Sequence, residues 1–117
     1  MVSDGSKLLI VDDSDIVRES VGHLAHALGY IPVAVSSGSD ALQKLSDGGF
    51  SVVLLDYSLN GMDGATAAGI AREAHPSIRI IGMSAHGDVA SSAFRDAGVS
   101  EMLHKPFGLS DLEKMRL

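Results

Sequence analysis

The chain has 117 residues, of which 45% are hydrophobic and 21% charged, a balance that suits one globular domain over 1–117 and excludes wholesale disorder. Its formal net charge of -6 leaves no basic stripe to neutralise phosphates, so direct nucleic-acid binding by this segment is not expected. The lack of cysteine excludes disulfides, a thiolate metal site and a cysteine nucleophile and fits a reducing, cytoplasmic setting, while the polar start and short apolar runs predict neither signal peptide nor membrane span.

Lys7–Val11 (KLLIV) is the first expected strand, and it ends on two acids, Asp12 and Asp13. Ser14 or Asp15 then caps a helix to about residue 28, in which Val17, Val21, Leu24 and Leu28 recur at helical spacing and mark one buried face. His23 and His26 lie off that stripe and lack the i, i+4 spacing of a paired metal site, so they read as solvated helix residues. Gly29 stops the helix. Ile31–Val35 is the second strand, and Pro32 argues for a sheet edge or a strand start. A short helix over 39–46 buries Leu42 and Leu45.

The stretch 52–64, VVLLDYSLNGMDG, organises the rest. Val52, Val53, Leu54 and Leu55 suit a strand buried on both faces. An ionised carboxylate is costly inside a core, so Asp56 belongs at the strand's carboxyl end, where the chain emerges into a crevice. Asn60, Gly61 and Gly64 supply turn chemistry before an alanine-rich helix over 65–74 whose one large apolar residue is Ile70. His75-Pro76 ends it. The fourth strand covers 78–83, with Ser84 at its end. A helix over 88–97 follows, with Val89, Ala93, Phe94 and Ala97 inward and Gly98 closing it. Glu101–His104 is a short fifth strand followed by Lys105 and Pro106. Ser110 to Glu113 has the S-x-x-E form of a capping box, so a last helix begins there, short enough before Leu117 to suggest truncation.

Strands alternating with helices five times imply right-handed crossovers and a parallel sheet covered on both faces. If the first and third strands are neighbours, Asp12, Asp13 and Asp56 converge at one sheet edge. Their repulsion raises a carboxyl pKa unless a cation is present, and hard oxygen ligands of this kind suit Mg²⁺. Taken singly, Asp12 and Asp13 read equally as caps of the following helix. The strand ends together offer Asp12, Asp13, Asp56, Ser84 and Lys105 to one crevice.

At these residues the chain resembles the receiver domain of two-component response regulators, the CheY-like superfamily, along nearly its whole length. The matching signatures are LLIVDD, the aspartate in LLDYSLNGMDG, the hydroxyl residue in IIGMSA and the HKPF segment. The resemblance implies a doubly wound, flavodoxin-like five-stranded parallel sheet of order 2-1-3-4-5. It also implies a signalling switch, not an enzyme acting on a separate substrate: a phosphoryl group passes from a partner's phosphohistidine to Asp56. In that scheme Asp13, Asp56 and the backbone carbonyl of Ser58 hold Mg²⁺, Asp12 contributes through water, Lys105 binds a phosphoryl oxygen, and Ser84 closes on another once phosphate is attached. The family's cis bond would here join Lys105 to Pro106. Three carboxylates, a divalent cation and a lysine sum to zero before phosphate arrives. The implied partners are a sensor histidine kinase or histidine phosphotransfer protein and a downstream effector, with Ile16, Val17, Pro106 and Phe107 as a docking surface. The expected state is a monomer or weak dimer.

Two positions depart from the pattern: Met102 stands where the family has tyrosine or phenylalanine, and Asn60 where it often has proline. Ser58 and His86 are the positions that tune phosphate lifetime; His86 reads as a polar gate or as an exposed loop histidine. The alternative function is a receiver-like interaction module that works without phosphorylation. A serine hydrolase is excluded because Gly82 to Gly87 reads G-x-S-x-x-G and not G-x-S-x-G. A nucleotide-binding loop is absent, and an aspartyl phosphatase would need an acid where Ser58 stands.

Overall fold

The computed structural model describes residues 5–85 and 87–117, so His86 lies outside the described residues. In chain order the elements are β1 (Lys7–Val11), α1 (Asp15–Ala27), β2 (Ile31–Val35), α2 (Gly38–Ser46), β3 (Phe50–Asp56), α3 (Gly64–Ala74), β4 (Arg79–Ser84), α4 (Gly87–Asp96), β5 (Glu101–His104) and α5 (Leu109–Lys114). The sheet order is β2-β1-β3-β4-β5, and each neighbouring pair is parallel.

The apolar runs take the central places. In β1 and β3 alternate side chains enter two separate cores, because successive residues of a strand face opposite sides. Leu8, Ile10, Val52 and Leu54 pack with Val21 and Ala25 of α1 and Leu112 of α5, together with Leu117. Leu9, Val11, Val53 and Leu55 pack with α2, α3 and α4 through Ala41, Leu45, Ala67, Ala68, Ala71 and Phe94. Each fully buried leucine or isoleucine contributes roughly 1.5–3 kcal/mol, so the two central strands secure both layers at once. Strand β2 is the edge that Pro32 foretold, with Ile31 52% exposed.

Local chemistry sets the helix starts. Ser14 accepts from the Val17 N–H at 3.3 Å, Ser37 from Asp40 at 3.1 Å and Asp63 from Thr66 at 2.8 Å, each satisfying a donor that the first helical turn leaves free. The φ of +93° at Gly29, just past the end of α1, is the left-handed conformation that glycine adopts without strain.

Several sequence expectations are corrected. Val89 points outward, 73% exposed, and Ala90 takes its place on the buried line of α4 beside Phe94, which is inward as expected. The reason lies in β4: the backbone at Gly82 is bare, and the Phe94 ring fills the space a side chain there would need. Helix α5 starts one residue before Ser110. Its N-cap is Gly108, whose N–H donates to the Asp111 carboxylate at 2.8 Å, so the acid reaching back is Asp111 and not Glu113. In α2 it is Ala41 and Leu45 that are buried, with Leu42 half-buried. Ile70 is 45% exposed, because α3 lies on the sheet through its alanines.

Candidate functional site

The carboxyl ends of the strands meet as the alternation required. Val11 pairs with Leu55 and Ser84 with His104, so Asp12, Asp56, Ser84 and Lys105 fall at one end of the sheet. Backbone hydrogen bonds run past the strand ends and hold these residues in line. The Asp12 N–H donates to Val35 O at 3.2 Å, Tyr57 N–H to Met83 O at 3.0 Å and Lys105 N–H to Ser84 O at 2.8 Å.

Asp12 and Asp56 are 1% and 5% exposed, Ser84 is buried, and Asp13 is exposed. The three carboxylates each offer an oxygen within 4.8 Å of the others. Lys105 comes from the opposite side: its Nζ lies 2.5 Å from Asp12 Oδ2 and 3.0 Å from Asp56 Oδ1. Asp12 Oδ1 also accepts from the Ser14 N–H at 2.9 Å. Asp12 is thus both a site acid and part of the turn that opens α1, which joins the two readings the sequence left open. The peptide bond from Lys105 to Pro106 is cis.

Burial pushes the Asp56 carboxyl above the usual range. The hydrogen bond from Lys105 opposes that shift, while the charges of Asp12 and Asp13 add to it. For Lys105, burial lowers the pKa, but its hydrogen bonds to Asp12 and Asp56 and their charges outweigh it and hold the ammonium above its ordinary value. Three carboxylates against one lysine leave an excess of negative charge lined by hard oxygens. A small divalent cation fits that donor set better than a second organic cation would.

Ser58 is exposed in the loop after β3. Gly64 matters there for a reason that turn chemistry did not supply. A Cβ on Gly64 would stand 2.1 Å from the Asp56 carbonyl oxygen, and the Gly64 N–H donates to Tyr57 O at 2.8 Å. The start of α3 is therefore packed directly onto the backbone of Asp56. Met102 is half-buried against the Phe94 layer, and its Sδ would lie 2.6 Å from a Cβ on Gly82. The Tyr57 and Phe94 rings meet edge to face with centroids 5.9 Å apart. Arg18, not singled out from sequence, donates from Nη1 to the Asp12 carbonyl at 2.7 Å.

A cavity of about 620 Å³ is lined by Gly48, Gly49, Phe50, His75 and Pro76 among others, at the opposite end of the sheet, and no acid lines it. A smaller apolar groove of about 280 Å³ adjoins Lys105, between Ile16, Val17 and Leu24 of α1 and Pro106 and Phe107.

A doubly wound parallel sheet with an acidic cluster and a lysine at the carboxyl ends of its strands defines a protein that manages a phosphoryl group or a divalent cation at that edge. The sequence model of the response regulator receiver domain matches residues 8–116, and the chain belongs to that family. It is 38% identical over 109 residues to the response regulator receiver protein CpdR of Brucella abortus, covering 90% of this chain and 88% of that protein. It is 36% identical over 104 residues to the response regulator protein FleR of Pseudomonas aeruginosa, covering 87% of this chain but only 22% of FleR. Among solved structures, the response regulator TrrA of Thermotoga maritima, in complex with Mg²⁺ and BeF, superposes with a TM-score of 0.82 at 27% identity, over 95% of this chain and 96% of that one. The chain is therefore a receiver domain, a signalling switch of two-component systems. Among the described residues no helix is long and apolar enough to cross a membrane.

Proposed function

We propose that this receiver, read as one unit over 1–117, accepts a phosphoryl group on Asp56 and sits in the cytoplasm. The observation that carries the reading is the Lys105 ammonium bridging Asp12 and Asp56 while Asp13 stays open beside them. An Asp56 carboxylate oxygen attacks phosphorus in line. A P–O bond forms, the P–N bond of a partner's phosphohistidine breaks, and the electron pair returns to the imidazole. Such a transfer needs positioning and charge neutralisation more than covalent help.

Lys105, already held at the Asp56 carboxylate, meets a phosphoryl oxygen, and the Ser84 hydroxyl donates to another. Asp13, Asp56 and the Ser58 carbonyl would hold Mg²⁺, with Asp12 contributing through water, and the ion would supply the positive charge that lets an anion approach three acids. The Mg²⁺ and BeF complex of TrrA, a relative of the same fold, supports that assignment. The groove of Ile16, Val17, Leu24, Pro106 and Phe107 beside Lys105 suits the apolar flank of a sensor kinase or histidine phosphotransfer helix. A downstream effector then reads the changed loops.

Intact mass after incubation with acetyl phosphate tests this directly, with and without Mg²⁺ and with Asp56→Asn. The expected result is one phosphoryl adduct that requires both Mg²⁺ and Asp56. A folded protein that takes no adduct under any condition refutes the reading and favours an interaction module that works without phosphorylation.

A further inference from the structure

Arg18 stands in the first turn of α1, just past the loop that carries Asp12 and Asp13. Its Nη1 donates to the Asp12 carbonyl oxygen at 2.7 Å, and its Nη2 pairs with the Asp15 carboxylate, which is 90% exposed. That carbonyl belongs to the peptide joining Asp12 to Asp13, a rigid plane from which both residues depart. We propose that Arg18 is a positioning residue whose guanidinium fixes this peptide and so presents the Asp13 carboxylate to the metal. The inference rests on the Mg²⁺ site proposed above.

The hydrogen bonds around Asp12 carry the argument. Its N–H donates to Val35 O, its Oδ1 accepts from Ser14 and its Oδ2 from Lys105. Arg18 takes the one remaining polar atom, so every polar group of Asp12 is committed. Asp13 is the opposite case: it is exposed, and its side chain makes no hydrogen bond among the described residues. With no side-chain hydrogen bond among the described residues to fix it, the direction in which Asp13 leaves the backbone is set by the peptide before it. The Arg18 side chain is only 20% exposed, so its fork is held in place against α1. A planar fork can satisfy a carbonyl and a carboxylate together, which a single ammonium cannot do with the same geometry.

Charge and geometry predict opposite signs, and this makes the proposal testable. Arg18 is a cation beside three carboxylates, so on Coulombic grounds alone its removal tightens Mg²⁺ binding. Positioning predicts the reverse. Mg²⁺ affinity is read by titration calorimetry on the full chain for wild type, Arg18→Met, Arg18→Lys and Asp15→Asn, beside thermal unfolding in chelator.

Arg18→Met is expected to weaken Mg²⁺ about 10-fold, the scale seen when groups that orient metal ligands are lost. Arg18→Lys keeps the charge and loses the fork, and is expected to weaken it roughly 3-fold or more; it decides the matter if the methionine variant does not fold. Asp15→Asn leaves the bond to the Asp12 carbonyl and is expected to stay within about 2-fold. Unchanged or tighter Mg²⁺ binding by the folded Arg18 variants overturns the proposal, as does equal weakening by Asp15→Asn. A wild type that binds no Mg²⁺ overturns the metal site itself and this inference with it, whereas a binding wild type with an indifferent Arg18 overturns the inference alone.

Discussion

Gly64→Ala adds a single methyl group to the first residue of α3. By helix propensity alone the change is favourable, by up to about 1 kcal/mol. The structure reverses that sign. The new Cβ would stand 2.1 Å from the Asp56 carbonyl oxygen and 2.9 Å from both the Asp56 carbonyl carbon and the Tyr57 Cα. All three are backbone atoms, so no rotamer change relieves the clash, and ordinary contact begins at 3.4 Å. Helix α3 must therefore move away from the end of β3 by about 1 Å, or the Asp56 backbone must move away from α3. Overpacking of this kind costs about 1–3 kcal/mol, which for a domain of this size lowers the melting temperature by roughly 4–12 °C. Displacing Asp56, the proposed phosphoryl acceptor, by that much is expected to slow phosphorylation about 100-fold. Thermal unfolding and the time course of intact mass with acetyl phosphate and Mg²⁺ read both effects. A Gly64→Ala protein as stable as wild type and phosphorylated at the same rate refutes the close approach.

Other perturbations test separate parts of the account. Lys105→Met strips the buried Asp12 carboxylate of its ammonium partner and is expected to destabilise the metal-free protein by about 3 kcal/mol; denaturant unfolding in chelator checks this, and no loss means the pair contributes little. At the far end of the sheet, the guanidinium of Arg79 holds the Glu101 carboxyl below its usual range through hydrogen bonds of 2.8 and 2.6 Å. A depressed carboxyl stabilises the fold above its unfolded pKa and loses that contribution as pH falls through the folded value. Glu101→Gln should therefore lower the melting temperature at pH 6 by a modest amount, because the pair is partly exposed, and the difference from wild type should shrink as the pH is brought down into the acid range. A constant difference across that range contradicts the linkage. On α4, Phe94→Ala is expected to cost about 3–5 kcal/mol and Val89→Ser less than about 0.5 kcal/mol. Denaturant midpoints check this, and a Val89→Ser loss as large as that of a buried valine would restore the inward placement read from the sequence.

Much of the fold could be read from order and spacing. Strand β5 and the alternation of five strands with five helices follow from apolar runs, proline breaks and glycine stops, each a local signal. Pro32 marked the edge strand because a residue without an N–H fits poorly in the middle of a ladder. The inner face of α4 was misread because Val89 and Ala90 are adjacent, and only the gap above Gly82 decides which side of the helix turns inward. The start of α5 was misread because two overlapping patterns offer a cap, and the chain uses the one that places Asp111 against the Gly108 N–H.

The site divides in the same way. Sequence by itself determined which residues stand at the strand ends: an ionised group closing an apolar run has one economical place, where the run leaves the core. Asp12, Asp13, Asp56, Ser84 and Lys105 were therefore legible before any coordinates, and their pairing across β1, β3, β4 and β5 follows from the parallel order. Only the tertiary structure decided how they touch. That Lys105 bridges Asp12 and Asp56 joins segments far apart in the chain, and that Arg18 takes the Asp12 carbonyl and Gly64 leaves room for the Asp56 backbone depends on how the following helix seats against the strand end. Those distances are set by the packing of α1, α3 and β5 on one sheet, and no local pattern encodes them.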